Sequence, residues 1–312
     1  MEADIQKVAL FGAGGAVGHS VAPELVRRNI PFRVVGRNRA RLEKEFGAFP
    51  QCEIFDADLS DLRSAGAAAR GVDTIIYCVG LPYPSHHLHP VLMRTTLEAA
   101  AAMQVKRVVL VSSVYAYGVP RASRVAETDP REPETRKGAY RKEQEDLVLG
   151  GTLAGLIVRL PDFYGPYADI GLANPVFRAA LAGKTANWAG PVNTPHEFVY
   201  MPDAGPVIVE LASRADCYGE AWNLGGAGVI NTMDFITRIY RAAGRSPKYR
   251  AAGRGLLKLM GYFNPTIREV IEMLYLQETP VILDDSKLMS KLGPVHKTSY
   301  DEGIRKTLEW MK

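Results

Sequence analysis

The chain has 312 residues, 47% apolar and 23% charged, with 38 basic and 34 acidic side chains for a net charge of +4. That composition suits a globular protein able to bury a large core, and so small a charge excess points to neither a nucleic-acid nor a membrane partner. Cys52, Cys78 and Cys217 make neither a disulfide framework nor a CxxC metal site, no run reaches the ~20 apolar residues of a membrane span, and MEADIQKVAL does not read as a signal peptide; a reduced, cytoplasmic protein without a metal is expected.

In chain order, KVALFG (7–12) predicts a buried strand and 17–28 a helix, PFRVVG (31–36) a second strand and 39–46 a helix. Strands follow at 52–55, 74–79, 106–112 and 154–160, with helices at 62–70, 89–103 and 140–149 between them. Apolar strands alternating with helices predict βαβ units and an α/β fold, a doubly wound parallel sheet of the Rossmann type. From Pro161 to Pro206 seven prolines fall within some fifty residues, so a loop-rich stretch is expected there, with helices at 207–212, 233–243 and 301–311 and a strand at 221–224. The expected organisation is a dinucleotide-binding domain over 1–165 and a smaller C-terminal substrate region over 166–312, interwoven with the first.

GAGGAVG (12–18) follows the first strand and opens a helix. Gly12, Gly14, Gly15 and Gly18 let the backbone turn sharply, while Ala16 and Val17 begin a helix whose free N–H groups and positive end suit a pyrophosphate. The second strand ends in VVGRNRAR with no acid before Glu43. An acid there would select NAD by its ribose hydroxyl, whereas Arg37, supported by Arg41, suits a 2′-phosphate and favours NADP. Asp58 and Leu59 are expected beside the adenine, and Cys78, Val79 and Gly80 beside the ribose; Asp56 and Asp61 also suit helix capping.

The fifth strand ends in Ser112 and Ser113, and Tyr140 lies on the next helix in GAYRKEQED. A phenol that exchanges a proton with a carbonyl or alcohol, facing a serine that orients the oxygen, is an arrangement for hydride chemistry. With GAGGAVG, DADLSD (56–61), VVLVSSVYAYG (108–118), VRLPDFYGP (158–166) and HEFVYMPD (196–203), the chain resembles the extended or atypical short-chain dehydrogenase/reductases of the NAD-dependent epimerase/dehydratase group. The resemblance implies that Ser113, four residues before Tyr117, and Tyr140 are catalytic. It also implies that Pro161, Asp162, Phe163 and Tyr164 line the nicotinamide side, and that His196, Phe198 and Tyr200 floor the substrate site.

The family pattern is YxxxK, but Gln144 stands four residues after Tyr140. Losing a unit charge about 5 Å from the phenol forfeits roughly 3 kcal/mol at an effective dielectric of ~20, so Tyr140 should be a poorer base, with Gln144 left to bind the ribose. Lys142 points away on an unbroken helix, and Lys137 is a remote substitute. His89, in PSHHLHP, and Tyr115 are further candidates for substrate contact. The expected activity is that of an NADP-dependent oxidoreductase or epimerase acting on a carbonyl or alcohol, with a nucleotide sugar suggested by the resemblance; the alternative is a catalytically silent NADP-binding regulator. Helices near 90–103 and 140–150 would serve a homodimer in this family.

Overall fold

The computed structural model describes residues 5–312. Its first half runs β1 (Val8–Phe11), α1 (Ala16–Arg27), β2 (Phe32–Gly36), α2 (Arg39–Phe46), β3 (Cys52–Asp56), α3 (Leu62–Ala69), β4 (Thr74–Tyr77), α4 (Leu88–Ala102), β5 (Arg107–Ser113), α5 (Arg136–Leu149) and β6 (Ala154–Leu160). Then come β7 (Asp162–Tyr164), α6 (Asn174–Leu181), β8 (Ala186–Ala189), β9 (Pro195–Tyr200), α7 (Met201–Ala212), β10 (Ala221–Asn223), β11 (Val229–Asn231) and α8 (Thr232–Ala242). The chain closes with β12 (Tyr249–Ala252), α9 (Arg254–Gly261), α10 (Pro265–Glu272), α11 (Tyr275–Glu278), α12 (Ser286–Leu292) and α13 (Tyr300–Met311).

Seven parallel strands form one sheet in the order β10-β6-β5-β4-β1-β2-β3. Side chains alternate across a strand, so each strand feeds two cores. Val8, Leu10, Ile76, Val109 and Val158 pack with α1 and α7 on one face; Ala9, Phe11, Ile75, Val108 and Ile157 pack with α3 and α4 on the other. The doubly wound α/β fold expected from the sequence is therefore present. β10 and α7 reach the sheet from beyond residue 165. A Cβ on Gly205 would lie 2.0 Å from the Ser20 carbonyl oxygen, so α7 sits hard against α1.

The expected helix at 207–212 in fact begins at Met201. Pro202 stands in its first turn, where a missing N–H costs nothing. Pro206 cannot donate to the Pro202 carbonyl, and the Ser20 hydroxyl donates to it instead at 3.2 Å. The stretch expected to be loop-rich holds β7, α6, β8 and β9, which build a three-stranded sheet β11-β9-β7 and a parallel pair β12-β8. These surround a second core of Phe177, Trp188, Phe235, Ile239 and Tyr300.

The displacement that matters most is at α5. The expected start was Tyr140, but the helix opens at Arg136, where the Thr135 side chain accepts a hydrogen bond from the Gly138 N–H at 3.1 Å. A Cβ on Gly138 would lie 2.7 Å from the Tyr115 carbonyl oxygen, so this first turn packs directly on the segment following β5.

Candidate active site

The glycine turn lies between β1 and α1 at the carboxyl edge of the sheet. The Gly12 N–H donates to the Val35 carbonyl at 2.9 Å, and the residue adopts φ +84°, with room for no Cβ: one would lie 2.7 Å from the Val79 backbone. At Gly18 a Cβ would lie 2.0 Å from the Ala13 carbonyl oxygen, which fixes the helix tightly on the turn. Gly15 is the N-cap of α1 and offers no side-chain cap, so the first-turn N–H groups are left for an external acceptor. Behind the turn His19, which sequence reasoning missed, holds the Gly15 carbonyl through Nδ1 at 2.9 Å and stacks on Tyr167 at 3.4 Å between centroids. The turn and the helix end it feeds fit a dinucleotide pyrophosphate.

Around it, the three arginines after β2 differ. Arg39 pairs with Glu43 and Asp56. Arg41 pairs with Glu45 and donates to the Gly14 carbonyl at 2.8 Å, so its guanidinium lies across the turn. Arg37 is exposed at the end of β2 and has no ion pair among the described residues. Asp58 is exposed; two hydrogen bonds from Ser60, chiefly, hold its carboxyl below the usual range, with Arg37 adding to them. Leu59 is buried, and Asp61 caps α3 whereas Asp56 does not cap. The Cys78 thiol is turned inward to the Phe11 carbonyl at 3.1 Å, and Val79 and Gly80 follow it at the end of β4.

The second cluster stands at the carboxyl ends of β4 and β5. Glu145 on α5 accepts from the Ser112 hydroxyl at 2.6 Å and pairs with buried Arg159 at 2.7 Å. The end of β5 makes Ser112 a candidate for cofactor contact, but its side chain is committed to the core instead. Each turn back along α5 from Glu145 moves past the end of β5: Arg141 feels Tyr77, Tyr115 and His89, and Lys137 lies 5.5 Å from the Tyr83 ring. The inward face of α5 is therefore Lys137, Arg141, Gln144, Glu145 and Val148. Tyr140 lies roughly 80° from the centre of that face, at ~100° per residue, and is half-exposed. The structure thus corrects the placement of Tyr140. With the helix begun at Arg136, the i, i+4 pair beyond the end of β5 is Lys137 and Arg141, not Tyr140 and Gln144. Lys142, as expected, points elsewhere and pairs with Asp146.

Gln144 is buried, and its Oε1 accepts from Arg141 at 2.7 Å, so it props the guanidinium. Five residues here keep buried polar atoms with no hydrogen-bond partner among the described residues: Tyr77 OH, both nitrogens of His89, Ser113 Oγ, Arg141 Nε and Gln144 Nε2. Buried polar atoms are rarely left orphaned, so their presence at the carboxyl end of the sheet, near the glycine turn, marks a place shaped for a polar ligand. The region is crowded with neutral rings. Burial, chiefly, holds His86 at about 4 and His89 far below its ordinary value, with Arg141 lowering both further. Burial also pushes the Tyr83 phenol up to about 12 and Tyr115 and Tyr77 upward. The Tyr83 and Tyr115 hydroxyls meet at 3.2 Å.

Lys137 is ion-paired with Glu269 and Glu272 of α10, and its N–H also donates to Glu272 at 3.1 Å. Nothing in the sequence pattern marked these two acids, which act across more than a hundred residues of chain. The His196 ring bonds Asp162 at 2.9 Å and leaves Nδ1 buried without a partner, and Asp162 in turn bears on Tyr83, Tyr115 and Tyr275. Other expected contacts fall elsewhere. Tyr164 and Phe198 are core residues, Tyr164 stacked on Phe177 and Phe198 on Phe235, because β7 and β9 turn them into the second core. Tyr200 joins that core, Pro161 is buried, and Phe163 packs on the main sheet core.

Residues 12–162 match the profile of a family described as NAD(P)H-binding. A UDP-glucose epimerase of Bacillus subtilis (strain 168), YtcB, itself uncharacterized, is 23% identical over 269 residues, 77% of this chain and 83% of that protein. The crystal structure of DesIV, a dTDP-glucose 4,6-dehydratase from Streptomyces venezuelae with NAD and TYD bound, superposes with a TM-score of 0.81 at 20% identity, covering 97% of this chain and 96% of that one. A UDP-glucuronic acid 4-epimerase from Bacillus cereus in complex with NAD gives 0.80 at 16% identity, covering 98% of each chain. Residues 12–162 thus match an NAD(P)H-binding family profile, and the chain as a whole shares its fold with these dehydratase and epimerase structures.

Proposed function

We propose that this protein is an oxidoreductase or epimerase that binds NADP in the glycine turn and exchanges hydride with a carbonyl or secondary alcohol held at Ser113. The observation that carries the reading is that Tyr77, His89, Ser113, Arg141 and Gln144, at the carboxyl end of the sheet, each keep a buried polar atom without a hydrogen-bond partner among the described residues, near a turn built for pyrophosphate. When bound, the nicotinamide supplies or takes the hydride. The chain's own residues do the rest. The first turn of α1 holds the diphosphate, Arg37 the 2′-phosphate, and Arg141, steadied by Gln144, the polar groups on the nicotinamide side. Ser113 orients the reacting oxygen. Lys137, one helical turn before Arg141 on the inward face of α5, exchanges the proton with that oxygen, and Glu269 and Glu272 fix the amine in position. The names of the related proteins support a nucleotide sugar as the first substrate class to examine, with Tyr115, His196 and Asp162 beside it.

Cofactor titration and turnover of a nucleotide-sugar panel test this together. Ser113→Ala and Lys137→Met should each lower turnover on the order of 100-fold or more while leaving cofactor affinity nearly unchanged, and Tyr140→Phe should change it by less than about threefold. A large loss in Tyr140→Phe with none in Lys137→Met would return the proton transfer to Tyr140. Arg37→Ala should weaken NADP roughly tenfold to 100-fold and leave NAD untouched; equal weakening of both would remove the basis for NADP. A second reading, a dinucleotide-binding regulator without turnover, is favoured by one feature: the inward face of α5 has no tyrosine. Tight NADP binding with no hydride exchange across the panel would establish it.

A further inference from the structure

The charge of the chain is spread unevenly. Residues 235–268 hold eight basic side chains and no acid, although the whole chain is only +4. Structure sorts these cations. Arg238 pairs with Asp234 and Asp301, Arg254 pairs with Glu278, and Arg268 bonds the Gly261 carbonyl. Arg241, Arg245, Lys248, Arg250 and Lys258 are exposed and have no ion pair among the described residues. Lys184, exposed and likewise unpaired, joins them, because β8 and β12 run side by side and the Arg245 side chain lies against Gly183.

The same segment carries α9, which faces the wrong way for a helix of a globular core. Leu257 and Gly261 turn inward, whereas Leu256, Leu259, Met260 and Phe263 are exposed at i, i+3, i+4 and i+7. That spacing makes one apolar stripe along the helix and its end, directed at solvent. At its tip Tyr262 is 81% and Phe263 86% exposed, the largest values among the exposed large hydrophobics of the described residues. An outward apolar stripe on a helix that starts two residues after a strand edge rich in unpaired cations combines the two features by which a peripheral helix is held in the headgroup region of an anionic bilayer. A second copy of the chain would bring like charges together on such a face, and nucleic acid offers no site for aliphatic and aromatic tips.

We propose that α9 and the β8–β12 edge form a docking surface for an anionic membrane, with Leu256, Leu259, Met260, Tyr262 and Phe263 entering the interface and Lys184, Arg245, Lys248, Arg250 and Lys258 meeting lipid headgroups. No described helix is long and apolar enough to cross a membrane, so the attachment is peripheral and reversible. It does not depend on the reading of the active site.

The test is co-sedimentation of the full chain with vesicles of phosphatidylcholine alone and of phosphatidylcholine mixed with phosphatidylserine. Binding is expected to the mixed vesicles only and to weaken as salt rises. A double variant, Lys248→Gln with Arg250→Gln, should lower the partition coefficient roughly 30-fold, about fivefold for each cation. Tyr262→Ser with Phe263→Ser should abolish measurable binding, and unchanged thermal melting and cofactor affinity in both variants would show that the fold is intact. Absence of wild-type binding to the mixed vesicles overturns the proposal. So does equal binding by the Gln variant, a wild-type dimer that the Ser variant dissolves while vesicles stay unbound, or retention by an oligonucleotide instead of by lipid.

Discussion

The glycine turn and the inward face of α5 stand at the same edge of the sheet, yet they are built on opposite principles. The turn is made by backbone: its N–H groups and its φ of +84° belong to a few consecutive residues, and what presses on them is again backbone, at Ala13 and Val79. The α5 face is made by side chains from four elements, and which side chains face inward depends on where one helix begins. A site made of backbone is local and is written in the spacing of glycines. A site made of side chains inherits every error of register, since each residue of shift turns the helical face by about 100°.

That contrast can be broken most severely at the turn. Gly18→Ala should cost several kcal/mol of stability, since its Cβ would lie 2.0 Å from backbone that cannot yield. Gly15→Ala, where the nearest atom is 3.6 Å away, should melt like the parent yet bind NADP at least tenfold more weakly. Calorimetric melting beside cofactor titration distinguishes the two, and a Gly15 variant that binds normally would remove the turn from the diphosphate.

The side-chain cluster has a pH signature that the turn lacks. His86 is buried and held at about 4, against 6.5 in an unfolded chain, chiefly by burial and then by Arg141 and Lys137. Below pH 6.5 the unfolded state takes up the proton first. Stability is therefore full above 6.5, falls as pH drops toward 4, and levels there having lost about 3 kcal/mol on account of His86. His89, shifted the same way, extends the loss to lower pH. Denaturant midpoints from pH 7.5 to 4 should show this slope, flattened in His86→Gln; an unchanged slope would mean that the ring cluster is open to water.

The smallest expected effect bears directly on register. Thr135→Ala removes the side-chain cap of α5 and should cost about 1 kcal/mol. Because Lys137 stands in that first turn, turnover should fall more than stability alone accounts for. Equal turnover would place the reacting group further along the helix, toward Tyr140.

Most of the sheet could be read from the sequence: α2 has the bounds its pattern suggested, and the parallel strands differ by a residue or two at their ends. Apolar runs between glycine and proline punctuation carry that information locally. The start of α5 was missed because Arg136–Gly138 has no apolar residue to announce it; the cap at Thr135, two residues after Pro133, was the available signal. The resemblance places Tyr164 on the nicotinamide side and Phe198 in the floor of the substrate site, but β7 and β9 turn both into an aromatic core. Glu269 and Glu272 had no signal at all, since their meaning depends on α10 folding back onto α5.

The seventh strand of the sheet has a bearing on how this chain comes off a ribosome. β10 lies beside β6 and supplies Asn223, whose Oδ1 accepts a hydrogen bond from the Tyr117 hydroxyl at 2.8 Å and whose Nδ2 donates to the Val125 carbonyl. Until residues 221–223 have emerged, the flank of β6 is an open template for a neighbouring nascent chain, and the buried Arg159–Tyr117 pair lacks its last acceptor. Slow translation between β6 and β10 would lengthen that window, and the yield of monomeric protein should follow it.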